Sequence, residues 1–271
     1  MSKSKDREGS NCGSPVSSSS DVPDSSKAVA PGSRSSDPPL LVSRLRVLRL
    51  RDINPPFTEF DSIERPIDIV QLTVKDVEFL KCCAYLTNVY RSHITSLGKV
   101  YLGEINSEDG KIVKVALLQY EQGDSQTVVR NAVASLAPKA VICTGCCGRL
   151  DPSRAELGDV VISSKLVTYD HKKIINGQEQ NRGVRVNVTR HMSRLIRTAD
   201  HGWNPPVQDP VYEGKVHKDK DVLSGSESVN DDQRKQFLEN YRKAVGIETE
   251  GGGTVYHLSV VLYYHYMRQF K

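Results

Sequence analysis

Two glutamates, Glu248 and Glu250, close the apolar run AVGIE and stand just before three glycines at 251–253. If that run is a strand, side chains two positions apart point to the same side. The pair then puts negative charge at a strand end, where a ligand can be met. Two chemistries fit it. The carboxylates can accept hydrogen bonds from a ligand and stabilise positive charge opposite them, or one of them can cap a following helix, where the helix dipole favours an anion. A second candidate is the loop Gly145, Cys146, Cys147, Gly148, because backbone without side chains lets ligand atoms approach amide N–H groups closely. Cys143 and Cys146 also form half of a zinc or redox motif. A structural zinc site needs four ligands, however, and Cys82 and Cys83 are adjacent rather than spaced, so neither a metal nor an organic cofactor is expected. Cys143 and Cys147 read as small apolar thiols filling a strand end. His257 and His265 are the only groups near the C-terminus that titrate around neutrality, and they read as surface or helix-packing histidines.

The elements that must position these residues follow from hydrophobic period and punctuation. IDIVQL (67–72) is apolar enough for a buried strand, and Thr73 caps a helix through KDVEFLKCCAYL with Val77, Leu80 and Cys83 or Tyr85 facing inward. KVYLGEI (99–105) and KVALLQY (114–120) flank the turn-like SEDG and predict a hairpin. A helix opens at Gly123 and runs to Leu136, where Pro138 stops it. AVICT (140–144) is then a strand running straight into the glycine loop, the place where α/β sheets put ligands. Further strands are predicted over 159–170, 183–188, 215–223 and 244–248. Helices are predicted over 189–200, over 231–242 and from Gly251 onward, the last with Val255, Leu258, Leu262, Tyr266 and Phe270 on one stripe. Strands alternating with helices give an α/β fold, a mixed and largely parallel sheet flanked by helices.

Composition narrows the rest. Lys and Arg exceed Asp and Glu by 37 to 33, a formal charge of +4, too small for a nucleic-acid footprint without local clustering. No stretch approaches the roughly 18 apolar residues that cross a bilayer, since the most apolar candidate, 255–267, is broken by the two histidines. The first ten residues lack the apolar core of a secretory signal, so six reduced cysteines and a cytoplasmic location are expected. Partners among nucleic acids or membranes are not. Residues 1–39 are rich in Ser, Pro, Gly and Asp and cannot bury enough surface to fold. LLVSRLRVLRLRD (40–52) interleaves Arg44, Arg46, Arg49 and Arg51 with leucines and reads as an edge strand or linker, with a basic arm for an acidic partner or membrane surface as the alternative. Residues 1–62 are thus a tail and arm, and 66–271 a domain.

Three segments, taken in order and spacing, make the chain similar to the nucleoside phosphorylase superfamily, above all its methylthioadenosine/S-adenosylhomocysteine nucleosidase branch. PKAVICTGCCGRLDPSRAELGDVVISSKLVTYD (138–170) resembles the family's strand, glycine loop and "LGDVV" strand. VLSGSESVNDD (222–232) resembles its "SGD" segment beside the base. AVGIETEGGG (244–253) resembles "AVEMEG", the segment that grips the ribose.

The resemblance implies a purine nucleoside as small-molecule partner, cleavage of its N-glycosidic bond, and a homo-oligomer. Such cleavage leaves an oxocarbenium-like sugar and a purine anion, so it needs negative charge near the ribose, a proton for the base and a nucleophile below the ring. Glu250 is the implied partner of the ribose hydroxyls. Gly145, Cys146, Gly148, Ser228, Val229, Glu248 and Thr249 are the other implied substrate contacts. In the hexameric phosphorylases an arginine two residues before the first loop glycine helps to hold phosphate. Cys143 stands there, and Arg149 does not match the position, so water is the expected nucleophile. The family's water-activating glutamate falls on Asp76, with Glu78 the adjacent candidate. Three departures bear on activity. Ser228 replaces the aromatic residue that sandwiches the base, leaving Val229 to offer backbone bonds. Ser226 replaces the aspartate of "SGD". The domain is expected to lack the last strand, which carries the aspartate that protonates the purine. Either a nucleosidase or a non-catalytic nucleoside-sensing or assembly module follows.

Overall fold

The computed structural model describes residues 49–248, apart from positions 108, 122, 157, 164, 171, 176, 177, 182, 184, 205–213, 219 and 226–228, together with a strand at 260–264. All of them belong to one compact unit, residues 37–271.

Strands and helices alternate as the apolar pattern requires. β1 (Ile69–Thr73) leads into α1 (Asp76–Ala84), then come β2 (Thr87–Ile94), β3 (Gly98–Asn106), β4 (Ile112–Gln119), α2 (Ser125–Leu136) and β5 (Ala140–Gly145). β2, β3 and β4 form an antiparallel meander, and β1 lies parallel between β4 and β5. Next are β6 (Gly148–Arg149), β7 (Val160–Ser163), β8 (Lys165–Thr168), the hairpin β9 (Lys172–Ile175) and β10 (Gln178–Asn181), β11 (Arg185–Asn187) and α3 (Arg190–Thr198). β12 (Val216–His217), β13 (Asp221–Ser224), α4 (Asp231–Asn240), β14 (Ala244–Glu248) and β15 (Val260–Tyr264) complete the described elements. They form an eight-stranded sheet, β12-β7-β15-β5-β1-β4-β3-β2, and a five-stranded sheet, β11-β8-β13-β14-β6. Helices flank a mixed sheet, as the sequence predicts.

One apolar core joins the two sheets, with Val70, Leu72, Leu118 and Val141 from the first meeting Leu166 and Val222 from the second. Consecutive residues of the second sheet, Val167 and Leu223, turn the other way and pack on Phe237 and Tyr241 of the α4 region. A third cluster lies under α1, where Phe79, Cys82 and Cys83 cover Val115 and Leu117.

Four sequence expectations need correction. Of the inner face expected for α1, Cys83 is buried and Leu80 packs half-buried on the same cluster, but Val77 is 55% and Tyr85 60% exposed, and the helix buries Glu78, Phe79 and Cys82 as well. The phase is set by where the helix starts. Thr73 is the last residue of β1 and donates its hydroxyl to the Leu118 carbonyl, while the Glu78 carboxylate accepts from the N–H groups of Val74 and of the N-cap residue Lys75, as the glutamate of a capping box does. The single strand expected over 159–170 is two, β7 in the larger sheet and β8 in the smaller. The Ser163 hydroxyl donates to the Lys165 carbonyl and accepts from its N–H at this crossing. The run 215–223 divides likewise into β12 and β13, one in each sheet. Finally, residues 260–264, within the helix expected from Gly251 onward, are a strand, parallel to β5 and antiparallel to β7, and the rest of that stretch lies outside the described residues. A VVLYY run suits a strand, and placed between β5 and β7 it satisfies backbone groups that both would otherwise leave unpaired. β2 and the β9–β10 hairpin were not anticipated by the sequence reading.

Candidate functional site

The glycine loop joins the sheets. β5 ends at Gly145 in the larger sheet, and after Cys146 and Cys147 the chain enters β6, whose Gly148 and Arg149 pair with Ile247 and Gly246 of β14 in the smaller one. Glu248 therefore lies one residue beyond the last pair, and the sequence-predicted residues Gly145, Cys146, Gly148 and Glu248 are brought to one place. Gly246 makes room for the Cys147 side chain, since a Cβ there would sit 2.8 Å from its sulfur.

The first helix reaches this loop through Glu78, not Asp76. Glu78 is 6% exposed, and its Oε1 accepts a 3.0 Å bond from the backbone N–H of Cys146. Its Oε2 accepts from Val74 and Lys75 at 3.2 and 3.0 Å, and the Lys75 ammonium stands 3.8 Å from Oε1. Asp76, two residues earlier, is exposed and accepts from the Gln119 side-chain amide at 2.8 Å. It does not join the loop. Beside Glu78, the Gln71 amide donates to the Cys82 sulfur and to the Thr144 hydroxyl, both at 3.0 Å. Burial first, then the Glu78 and Cys83 charges, push the Cys82 thiol up to about 12, so it is no nucleophile.

The smaller sheet contributes a row of polar side chains. Thr168, Ser224 and Glu248 are in register across β8, β13 and β14 and are 3%, 0% and 3% exposed. In-register neighbours share a face, and the preceding residues Val167, Leu223 and Ile247 face α4, so this row turns toward the other sheet at the same end as the glycine loop. The Ser224 hydroxyl has no hydrogen-bond partner among the described residues, an unfavourable state for a buried group unless a ligand or water completes it. Gly225 follows, where a Cβ would meet the Tyr169 ring at 2.3 Å. Val229, half-buried, packs on the cluster around Phe237 and directly precedes Asn230, which caps α4.

Sequence reasoning missed Thr168, Ser224 and Arg234 and ranked Glu78 second. The Ser-Gly pair that starts the "SGD"-like segment could have pointed to Ser224. Nothing local marks Arg234, whose Nη1 donates to the Arg149 carbonyl at 2.8 Å. A pair joining the buried Asp159 to the half-buried His217 (2.8 Å, 58 residues apart) also escaped it. Asp159 accepts in addition from the N–H groups of Glu156 and Lys215 at 2.9 and 3.0 Å. Burial alone would push its carboxyl up, yet these bonds outweigh burial and hold it below the ordinary aspartate value. Ser228, Thr249, Glu250, His257 and His265 lie outside the described residues.

The five described cysteines are free, and no three His, Cys, Asp or Glu side chains among the described residues are grouped to hold a metal. No helix among them is long and apolar enough to cross a membrane. The arrangement joins a buried carboxylate, an open glycine backbone and a polar row between two sheets, a setting in which water or a ligand hydroxyl can be oriented and deprotonated.

Known proteins match this architecture. A nucleosidase from Streptococcus pyogenes that acts on S-adenosylhomocysteine, in complex with 5-methylthiotubericidin, superposes with a TM-score of 0.55 at 18% identity over 72% of this chain and 81% of that one. The 5′-methylthioadenosine/S-adenosylhomocysteine nucleosidase of Campylobacter jejuni gives 0.56 at 14% over 76% and 90%. That of Colwellia psychrerythraea, in complex with adenine, gives 0.54 at 15% over 73% and 81%. These are likenesses of fold. No curated protein sequence matches the chain significantly. The family model of the phosphorylase superfamily matches residues 73–252, well over half of the chain, and the chain belongs to that superfamily.

Proposed function

We propose that the domain binds purine nucleosides, adenine nucleosides such as methylthioadenosine among them, and cleaves their N-glycosidic bond with water. The observation that carries this reading is the placement of Glu78, a buried carboxylate held against the glycine loop with Oε1 on the Cys146 amide. In the reaction Glu78 takes a proton from water, the water oxygen bonds to the anomeric carbon, and the carbon–nitrogen bond breaks with its electron pair going to the purine, which then takes up a proton. Glu250 accepts the ribose hydroxyls, as the resemblance implies, with Glu248 and Ser224 alongside. Gly145, Cys146 and Gly148 offer close backbone approach, Val229 contacts the ligand through its backbone, and Thr249 is a further contact that the resemblance implies. The matching nucleosidases solved in complex with 5-methylthiotubericidin and with adenine support the choice of ligand. Water rather than phosphate is favoured because Cys143, buried at 5%, stands where the hexameric phosphorylases have an arginine.

Chromatography of adenine released from methylthioadenosine tests the activity, and calorimetry tests binding. Failure of both sinks the reading. A second reading, nucleoside binding without turnover, is favoured by one observation: β15, between β7 and β5 in the larger sheet, reads VVLYY and carries no acidic residue, so it supplies no proton donor for the purine. Binding with no adenine release selects it.

A further inference from the structure

The two ends of the glycine loop are held by opposite charges from different helices. At the near end, Glu78 of α1 accepts from the Cys146 N–H at 3.0 Å. At the far end, Arg234 of α4 donates to the Arg149 carbonyl at 2.8 Å, across 85 residues of chain. Arg234 is not needed to build its own helix. Asn230 and Gln233 already cap α4 reciprocally, each accepting from the other's backbone N–H at 2.9 and 3.0 Å. Nor does it join an ion pair among the described residues, and its Nε is buried there without a partner. A part-buried guanidinium directed at a single carbonyl is costly, and such an arrangement persists where the carbonyl's position matters.

Arg154 shows what a purely architectural arginine does in this region. It donates to the carbonyls of Leu238, Arg242 and Ala244 and pairs with Asp151 at 3.6 Å. It ties the end of α4 to the chain beyond the loop and touches neither loop end. Arg234 lies in the first turn of α4, toward the opposite end of the helix and five residues after Val229, which the proposed function sets against the ligand.

We propose that Arg234 is a positioning residue that fixes the far end of the glycine loop, so that Glu78 and Arg234 together set the loop's span and its distance from the Val229 segment. This role in nucleoside binding rests on the function proposed above. Its test does not.

The test is hydrogen exchange of the ligand-free full chain, read on the peptide covering 145–150. Arg234→Met keeps the aliphatic stem but removes the donor, and it should speed exchange in this peptide about tenfold while the β1 and β4 peptides stay at the parent rate. Arg234→Lys keeps a donor without the fork and should restore the protection only in part, leaving a smaller rise of about threefold confined to the same peptide. Arg154→Met should lower the melting temperature and leave exchange at 145–150 unchanged. Parent-like exchange in Arg234→Met, or an equal rise in Arg154→Met, overturns the proposal. If the methionine variant does not fold, the lysine variant decides alone: a rise confined to 145–150 supports the clamp, and a uniform rise or none overturns it. A protein that binds no nucleoside but shows the confined rise would lose the proposed function and keep the clamp.

Discussion

The carboxylate of Glu78 and the backbone N–H of Cys146 meet at 3.0 Å, although 68 residues separate them. In Glu78→Gln the amide oxygen can still accept from Cys146, but the nitrogen on the other side cannot accept from Val74 and Lys75. The helix start should lose about 1 to 2 kcal/mol, and adenine release should fall by two or more orders of magnitude, since an amide takes no proton from water. Asp76→Asn should change turnover by less than about threefold, its side chain meeting only Gln119 at the surface. Equal losses in the two variants would remove Glu78 from the reaction.

For Glu250 the expectation rests on the resemblance to the ribose-gripping segment. An ionised carboxylate accepting two ribose hydroxyls makes charge-assisted bonds of about 1.5 to 3 kcal/mol each, and an amide can accept at only one atom. Calorimetry should show nucleoside affinity in Glu250→Gln weaker by one to two orders of magnitude, against a smaller loss in Glu248→Gln. No loss at Glu250 would leave the ETEG segment as a helix cap.

Asp159 gives the molecule an acid-sensitive bond set. Its carboxyl is held below the ordinary aspartate value when folded, so it favours the folded state above the unfolded value of about 3.9, and that contribution disappears as pH falls through the lower folded-state value. Melting temperature should therefore drop steeply below about pH 4 in the parent and more gently in Asp159→Asn. At pH 7 the variant, which leaves His217 and two backbone N–H groups with a poorer acceptor, should cost about 3 kcal/mol, or roughly 6 to 12 °C. Parallel melting curves across pH for the two proteins would contradict the assignment.

Two glycines report on packing at the site. Gly246→Ala brings a Cβ to 2.8 Å from the Cys147 sulfur, an overpacking worth about 1 to 3 kcal/mol. Denaturant unfolding of the double variant with Cys147→Ala should recover more than half of that. Gly225→Ala should be worse, because the Tyr169 ring it meets at 2.3 Å is backed by Phe237, with ring centroids 4.8 Å apart. Simple additivity in the Gly246 and Cys147 cycle would mean that the backbone relaxes instead.

Elements with strong local signals were legible. AVICT and AVGIE are continuous apolar runs, and both are strands ending at the site. α2 begins near Gly123 and ends at Leu136, where Ala137 adopts φ 47° before Pro138. Legibility failed where tertiary pairing overrode local pattern. The burial of Glu78 in α1 goes with its bond to an amide 68 residues away, and no period in KDVEFLKCCAYL encodes that, so Glu78 ranked behind Asp76 as the candidate. VVLYY lies within a longer run, 255–270, that has an apolar stripe at helical spacing, and it is a strand because neighbours distant in sequence leave a slot for it. β2, with Thr87, Asn88, Arg91 and His93 at the sheet edge, has too many polar residues to stand out. Ser224 and Arg234 are ordinary residue types, and only burial and partners distinguish them.

The crossing at Ser163 and Lys165 limits how this protein can change. β7 and β8 belong to different sheets yet are separated by one residue, and the two side chains that follow, Leu166 and Val167, enter different cores. Inserting or deleting a residue there would reverse the facing of β8, turning Leu166 toward Phe237 and Val167 toward Val70 and Leu72. Chain length is thus rigidly fixed at this junction, whereas the turn between β3 and β4 can absorb added residues at the surface. It also means that neither core can be excised as an independent module: they share β8 and β13, so they gain and lose order as one cooperative body.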